Sequence, residues 1–197
     1  MGLEIEKKFT VKHLPDNLEE YPVHIIEQGY LSVIPAIRVR REDDHYYMTY
    51  KAEKEFCIAN GSECTEHHGE AGDIRGIGKT EFNVPLDKNS YEHLSAKADG
   101  NVIRKKRYII PLNRDAYEKS FVDNHPDFLE KLACMKIELD VFGTPFDGRI
   151  LAEVEFPDEE MAKAYRPADW FDKDVTGNTR YSNAYMSLEK LTNTEKK

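Results

Sequence analysis

Polar and apolar residues alternate with a period of two along most of the chain, and turn-forming residues interrupt the alternation at strand-like intervals. The run from Glu4 to Phe9 puts Glu4, Glu6 and Lys8 on one face and Leu3, Ile5, Lys7 and Phe9 on the other. The pattern predicts further strands from His24 to Val33, from Ala36 to Arg41 and from Tyr46 to Lys51, the last two joined through Glu42-Asp43-Asp44-His45. It predicts others from Lys79 to Pro85, Val102 to Leu112, Met135 to Phe142 and Arg149 to Phe156, the last pair flanking the turn at 143–148.

Helical spacing is confined to short stretches. Asp87 to Ala98 carries Tyr91, Leu94 and Ala98 on one side, with Asp87 or Asn89 as cap and Gly100 as terminator. From Asp158 to about Ala164 a second helix is expected, with Asp158, Glu159 and Glu160 at its positive end. The stretch Asn113 to Cys134 reads as helix or loop broken at Pro126, with Phe128, Leu129 and Leu132 as a core stripe, and Trp170-Phe171 is expected to pack on the sheet. The irregular segment 53–78 reads as an insertion and 191–197 as a tail, leaving one domain over 1–190.

The charged faces change this picture from a scaffold into a site. Collected by strand, they offer Lys8, Arg38, Arg40, Lys51, Lys79, Lys105 and Arg107 as cations against Glu4, Glu6, Glu81, Glu138, Asp140, Glu153 and Glu155. The opposite faces carry Ile5, Phe9, Val39, Leu139, Leu151, Val154 and other apolar residues. Two carboxylates one residue apart project side by side, which suits a hard divalent cation, while paired Arg or Lys suit phosphate oxygens. With 33% charged residues, burying these ions dry would cost several kcal/mol each, more than a domain's stability permits. Two arrangements remain: an open sheet with its charged face in water, or a hydrated barrel of about eight strands around a small ligand.

Composition narrows the partners. A net charge of -9 disfavours a long polyanion, so nucleic acid is excluded as the main partner, whereas a small phosphate compound responds only to the local field. No long apolar run predicts a membrane span, and the odd cysteine count of Cys57, Cys64 and Cys134 fits a reducing cytoplasm. Cys57, Cys64, His67 and His68 do not match a zinc spacing and read as a solvated loop.

The ordered set Glu4-Ile5-Glu6-Lys7-Lys8-Phe9, Arg38-Val39-Arg40, Lys51, Lys105-Lys106-Arg107-Tyr108, Glu138-Leu139-Asp140, Ala152-Glu153-Val154-Glu155-Phe156 and Arg180-Tyr181-Ser182-Asn183 resembles the CYTH domain. This is the triphosphate tunnel metalloenzyme family, which includes inorganic triphosphatases, thiamine triphosphatases and class IV adenylate cyclases. The resemblance implies an α+β fold: a closed antiparallel β-barrel forming a charged tunnel, with a few flanking helices. It implies Mg2+ or Mn2+ held by Glu4, Glu6, Glu153 and Glu155 with Asp140 beside them, and catalytic roles for Glu4, Glu6, Lys8 and Asp140. Lys8, Arg38, Arg40, Lys51, Lys105, Arg107 and Arg180 would hold the phosphates, joined by Lys79 from the same strand face, with Glu81 and Glu138 as support or second-metal groups. The expected activity is metal-dependent hydrolysis of inorganic tripolyphosphate. The alternatives are a cyclase, a thiamine or nucleoside triphosphatase, or a module that binds polyphosphate without cutting it. A homodimer is compatible with this reading. Asn83, where many members carry an acid, and the insertion depart from the family pattern.

Overall fold

A computed structural model describes residues 5–53 and 79–191, with the side chains of 52, 53, 79 and 80 left undescribed. Glu4, the Lys79 side chain, the loop cysteines and histidines, and nearly all of the expected insertion and tail therefore lie outside the described residues. Among the described residues nine strands form one antiparallel sheet: β1 (Ile5–Val11), β2 (Val23–Val33), β3 (Ala36–Glu42), β4 (His45–Glu53), β5 (Lys79–Leu86), β6 (Asp99–Ile110), β7 (Ile137–Phe142), β8 (Ile150–Phe156) and β9 (Phe171–Asp174). Their order is β5-β4-β3-β2-β6-β7-β8-β1-β9, so the first strand sits among the last three. Five short α-helices accompany them among the described residues: α1 (Lys88–Ser95), α2 (Lys119–Asp123), α3 (Phe128–Ala133), α4 (Glu159–Ala164) and α5 (Asn183–Leu188). No helix among the described residues is long and apolar enough to cross a membrane.

Side-chain parity explains the layering. In β1, Ile5 and Phe9 are buried at 6% and 2% exposure and face the main core, while Glu6 and Lys8 face the opposite way into a cavity. The core joins them to Ile137, Leu139 and Val154 of β7 and β8, and to Met161 and Tyr165 at α4. Each such fully buried side chain contributes about 1.5–3 kcal/mol of apolar transfer free energy. Phe171 stacks on Phe9 at 4.5 Å and opens β9, a four-residue strand that the sequence pattern left unassigned.

Three expectations need correction. Leu151 does not share the Val154 face: it lies opposite Asp140 in register and joins Ile103, Phe142, Phe146 and Met186 in a second, smaller apolar cluster. Leu129 is 76% exposed, leaving Phe128 to anchor α3. The expected helix from Asp87 is shorter, with Asp87 accepting from Ser90 N at 2.7 Å, and Gly100 does not end it. Gly100 instead opens β6 at φ 70°, and a Cβ there would come within 2.1 Å of the Ser187 backbone oxygen. Only glycine allows α5 to approach so closely, and the neighbouring Asn101 fastens it by donating to the carbonyls of Met186 and Glu189 at 3.2 and 2.7 Å.

One stability prediction arises from the helical layer. His125 stacks on Phe121 at 3.9 Å, with Nδ1 at 2.6 Å from the Phe121 carbonyl and Nε2 at 3.2 Å from Glu160. The Phe121 carbonyl first, and Glu160 after it, raise its pKa above 6.5. A raised folded-state pKa gives stability that is complete below the unfolded value and is lost as pH rises through the folded one. Urea titrations are therefore expected to show stability falling as pH rises above about 6.5, with the slope reduced in His125→Gln. An unchanged slope in the variant would refute the assignment.

Candidate active site

A cavity of about 630 Å³ opens on the polar face of the sheet, and its walls draw on eight strands, β1 to β8. Glu81 of β5 and Glu6 and Lys8 of β1 line the same space, although these strands are far apart in the pairing order. The sheet therefore curves far enough to bring its two flanks to one hollow. Strand parity makes this possible, because each strand sends alternate side chains inward.

One wall is rich in carboxylates. In the β1–β8 register Glu6 lies opposite Glu155 and Lys8 opposite Glu153, and Glu153 is in turn opposite Glu138 of β7. Lys8 Nζ sits 2.8 Å from Glu153 Oε1 and 3.5 Å from the Tyr181 carbonyl. Burial works against the Lys8 ammonium, but Glu153 and then Glu6 outweigh it and raise its pKa. Glu153 moves the other way: burial opposes its charge, yet Lys8 and Arg107 hold its pKa well below the usual carboxylate range.

Arg107 is the hub of this wall. Its Nε and Nη2 each donate to Asp140 at 2.7 Å, Nη2 also donates to Glu153 at 3.1 Å, and Nη1 donates to Glu138. Behind it, Lys105 donates to Asp140, and the two side chains are 0% and 1% exposed. Lys105 is also 5.6 Å from the Phe142 ring centroid. The two lysines thus diverge: burial and the adjacent Arg107 push Lys105 down to about 8, whereas Lys8, with two acids at hand, goes up.

The facing wall is cationic. Arg38 and Arg40 of β3 and Lys51 of β4 line it, with Glu81 lying 3.7 Å from Arg38 Nη2 and 3.4 Å from Lys51 Nζ. The Arg38 Nε is buried without a hydrogen-bond partner among the described residues, an orphan donor of the kind an anion would satisfy. At Asn83 the side chain accepts from Thr49 at 2.6 Å and donates to Glu81 at 3.2 Å, so the amide braces Glu81 in place of an acid. An apolar rim of Ile34, Tyr185 and Leu188 borders the cavity, at 79%, 44% and 56% exposure.

The structure thus gathers Glu6, Lys8, Arg38, Arg40, Lys51, Arg107, Glu153 and Glu155 around one cavity. Lys105 and Asp140 sit sealed beside it, and Arg180 lies exposed on the Thr179–Tyr181 turn, next to the lining residue Thr179 but not itself lining the cavity. Gln28, Glu42 and Tyr47, which engage Arg40, escaped the reading of charged pairs. For Tyr47 the signal was available, since it shares parity with Thr49 and Lys51. Among the described residues no three His, Cys, Asp or Glu side chains form a ready-made metal cluster. The donor set still suits a hard cation: Glu6 and Glu155 are all-oxygen ligands placed directly across from one another, a like-charge pairing that a divalent ion relieves.

Comparison with known proteins agrees with this geometry. No family model matches the chain. A protein named inorganic triphosphatase from Nitrosomonas europaea is 29% identical over 190 residues, covering 94% of this chain and 97% of that protein. The crystal structure of the inorganic triphosphatase NE1496 matches with a TM-score of 0.59 and 28% identity, covering 96% of this chain and 97% of that one. A further structure, of a hypothetical protein NE1496, gives 0.58 and 27%, covering 95% and 99%. The chain is thus similar over nearly its whole length, in sequence and in fold, to an inorganic triphosphatase.

Proposed function

We propose that this chain is a divalent-metal-dependent triphosphatase of the cytoplasm that releases phosphate from inorganic tripolyphosphate inside a sheet closed into a barrel. One observation carries the reading: a single cavity has a cationic wall of Arg38, Arg40 and Lys51 facing a carboxylate wall of Glu6, Glu153 and Glu155. A bare anion receptor gains nothing from the second wall, whereas hydrolysis of a metal-chelated triphosphate uses both. The relative named inorganic triphosphatase supports the same substrate.

In this reading Glu6, Glu153 and Glu155 would hold Mg2+ or Mn2+, with Glu4 added from the sequence motif. When bound, the ion supplies Lewis acidity and neutralises phosphate charge. The protein's own groups do the rest. Arg38, Arg40 and Lys51 align the phosphate chain and spread its charge, and Lys8 carries a firmly held positive charge to the junction of the two walls. The carboxylate wall orients an attacking water and accepts its proton, so no protein nucleophile is needed. Asp140 and Lys105 act as a brace that fixes Arg107, and through it Glu153.

The test is phosphate release from tripolyphosphate, thiamine triphosphate and nucleoside triphosphates with magnesium and then manganese. The expected result is fastest release from tripolyphosphate, abolished by a chelator, with no cyclic nucleotide from ATP. Cyclic AMP as product would replace hydrolase by cyclase, and no release from any substrate would leave a binding module. A second reading, an organic triphosphate as substrate, draws on the apolar rim at Ile34, Tyr185 and Leu188, where a base or ring would rest.

A further inference from the structure

Arg40 is 7% exposed and lines the cavity, yet its close hydrogen-bond partners are neutral. Nε donates to Gln28 Oε1 at 2.9 Å, and Nη1 donates to the Tyr47 hydroxyl at 3.0 Å. Gln28 is fully buried, directly opposite Arg40 in the β2–β3 register, and its amide lies 3.4 Å from the Tyr30 hydroxyl. Tyr47 spends its own proton on Glu42 Oε2 at 2.7 Å. Glu42 thereby stands 3.7 Å from Arg40 Nη1, within reach as a loose ion pair but beyond hydrogen-bonding range. The contrast with Arg107, whose donors all end on carboxylates, is complete. Burial and the neighbouring Arg38 both disfavour the Arg40 charge, so an incoming anion finds a cation that the protein has left under-compensated.

We propose that Gln28 and Tyr47 are positioning residues that hold Arg40 aimed into the cavity, Tyr47 acting by keeping the Glu42 carboxylate at 3.7 Å rather than in direct hydrogen-bonded contact with the guanidinium. The two contacts fix Nε and Nη1 and leave Nη2 for a phosphate oxygen. This rests on the triphosphatase reading for the identity of the anion and extends it to the device that readies the phosphate side. In Tyr47→Phe the hydroxyl is gone and the Glu42 carboxylate is free to pair with Nη1. In Gln28→Glu a carboxylate replaces the neutral acceptor on Nε. Both changes give Arg40 a directly hydrogen-bonded carboxylate partner, as Arg107 has.

The experiment compares wild type, Tyr47→Phe, Tyr47→Phe/Glu42→Gln and Gln28→Glu. It uses tripolyphosphate binding by calorimetry in chelator, kcat and KM with magnesium, and melting temperature. Tyr47→Phe and Gln28→Glu are each expected to weaken binding and raise KM about tenfold or more, the effect of one charge-assisted contact, with a smaller change in kcat. Adding Glu42→Gln to Tyr47→Phe is expected to restore binding to within about threefold of wild type, because no carboxylate then remains to close on Arg40. A purely structural role for Tyr47 would lower the melting temperature and gain nothing from the second change. Unchanged binding in Tyr47→Phe, or a double variant as weak as the single one, overturns the proposal. A wild-type protein that neither binds nor hydrolyses tripolyphosphate overturns the triphosphatase reading instead.

Discussion

Replacing Glu153 by glutamine is expected to slow tripolyphosphate hydrolysis by about a thousandfold while the protein stays folded. Glu153 joins two cations of the carboxylate wall, accepting from Lys8 at 2.8 Å and from Arg107 at 3.1 Å. Its charge is firmly fixed, since Lys8 and Arg107 overcome the opposing effect of burial. Glutamine keeps the shape but removes the negative charge that would face a divalent cation, and it turns one acceptor oxygen into a donor aimed at Lys8 or Arg107. The fold should survive, because Arg107 keeps Asp140 and Glu138, and Lys8 keeps the attraction of Glu6. Phosphate release at saturating magnesium checks the prediction, with circular dichroism melting as the control. Activity within about tenfold of wild type would remove Glu153 from the chemistry.

The second large effect is on stability. Asp140→Ala is expected to lower the unfolding free energy by about 3–5 kcal/mol, since it strips the shared partner from two buried cations. Lys105 is 0% exposed and its ion pair among the described residues is with Asp140, so the variant leaves it with only the weaker attraction of Glu153. Arg107 loses its bidentate contact and turns to Glu138 and Glu153 alone. For the intact protein the sign of the pH effect follows from Asp140 itself. Burial opposes its charge, but Arg107 and Lys105 hold its pKa below 3.8, so its contribution is full above that value and fades as pH falls through the folded-state pKa. Urea unfolding at neutral pH measures the loss. A change under about 1 kcal/mol would mean that water reaches Lys105 in the variant. Asp140→Leu/Lys105→Met, which removes both charges, is expected to recover much of the stability.

Much of this site was legible in the alternation of residues. Parity alone put Glu6, Lys8, Arg38, Arg40, Glu153 and Glu155 on inward faces, because a strand has no freedom to place i and i+2 on different sides. What parity cannot supply is the partner across the strand. Arg40 and Arg107 look alike in sequence, each a basic residue of an alternating pair, yet Gln28 opposite the first and the acids of β7 beside the second give them opposite electrical characters. The depth of Lys105 and Asp140 was hidden for the same reason, since the apolar side chains that seal them come from elsewhere: Leu151 is in register with Asp140 and Phe142 with Lys105. Helix ends were read with mixed success. Asp87 caps α1 by local chemistry, but Gly100 serves a contact with α5, nearly ninety positions away in the chain, that no local rule announces.

The β1–β8 ladder sets Glu6 against Glu155 and Lys8 against Glu153, joining the opening stretch of the polypeptide to one near its close. Loop closure of that length makes such a pairing kinetically late, because the intervening chain must be ordered before the contact is rewarded. On the proposed reading, competence for phosphate chemistry is consequently a property of the finished molecule alone: a partly assembled chain with Arg38 and Arg40 on a formed hairpin would attract anions, yet it would lack the paired carboxylates with which to cut them.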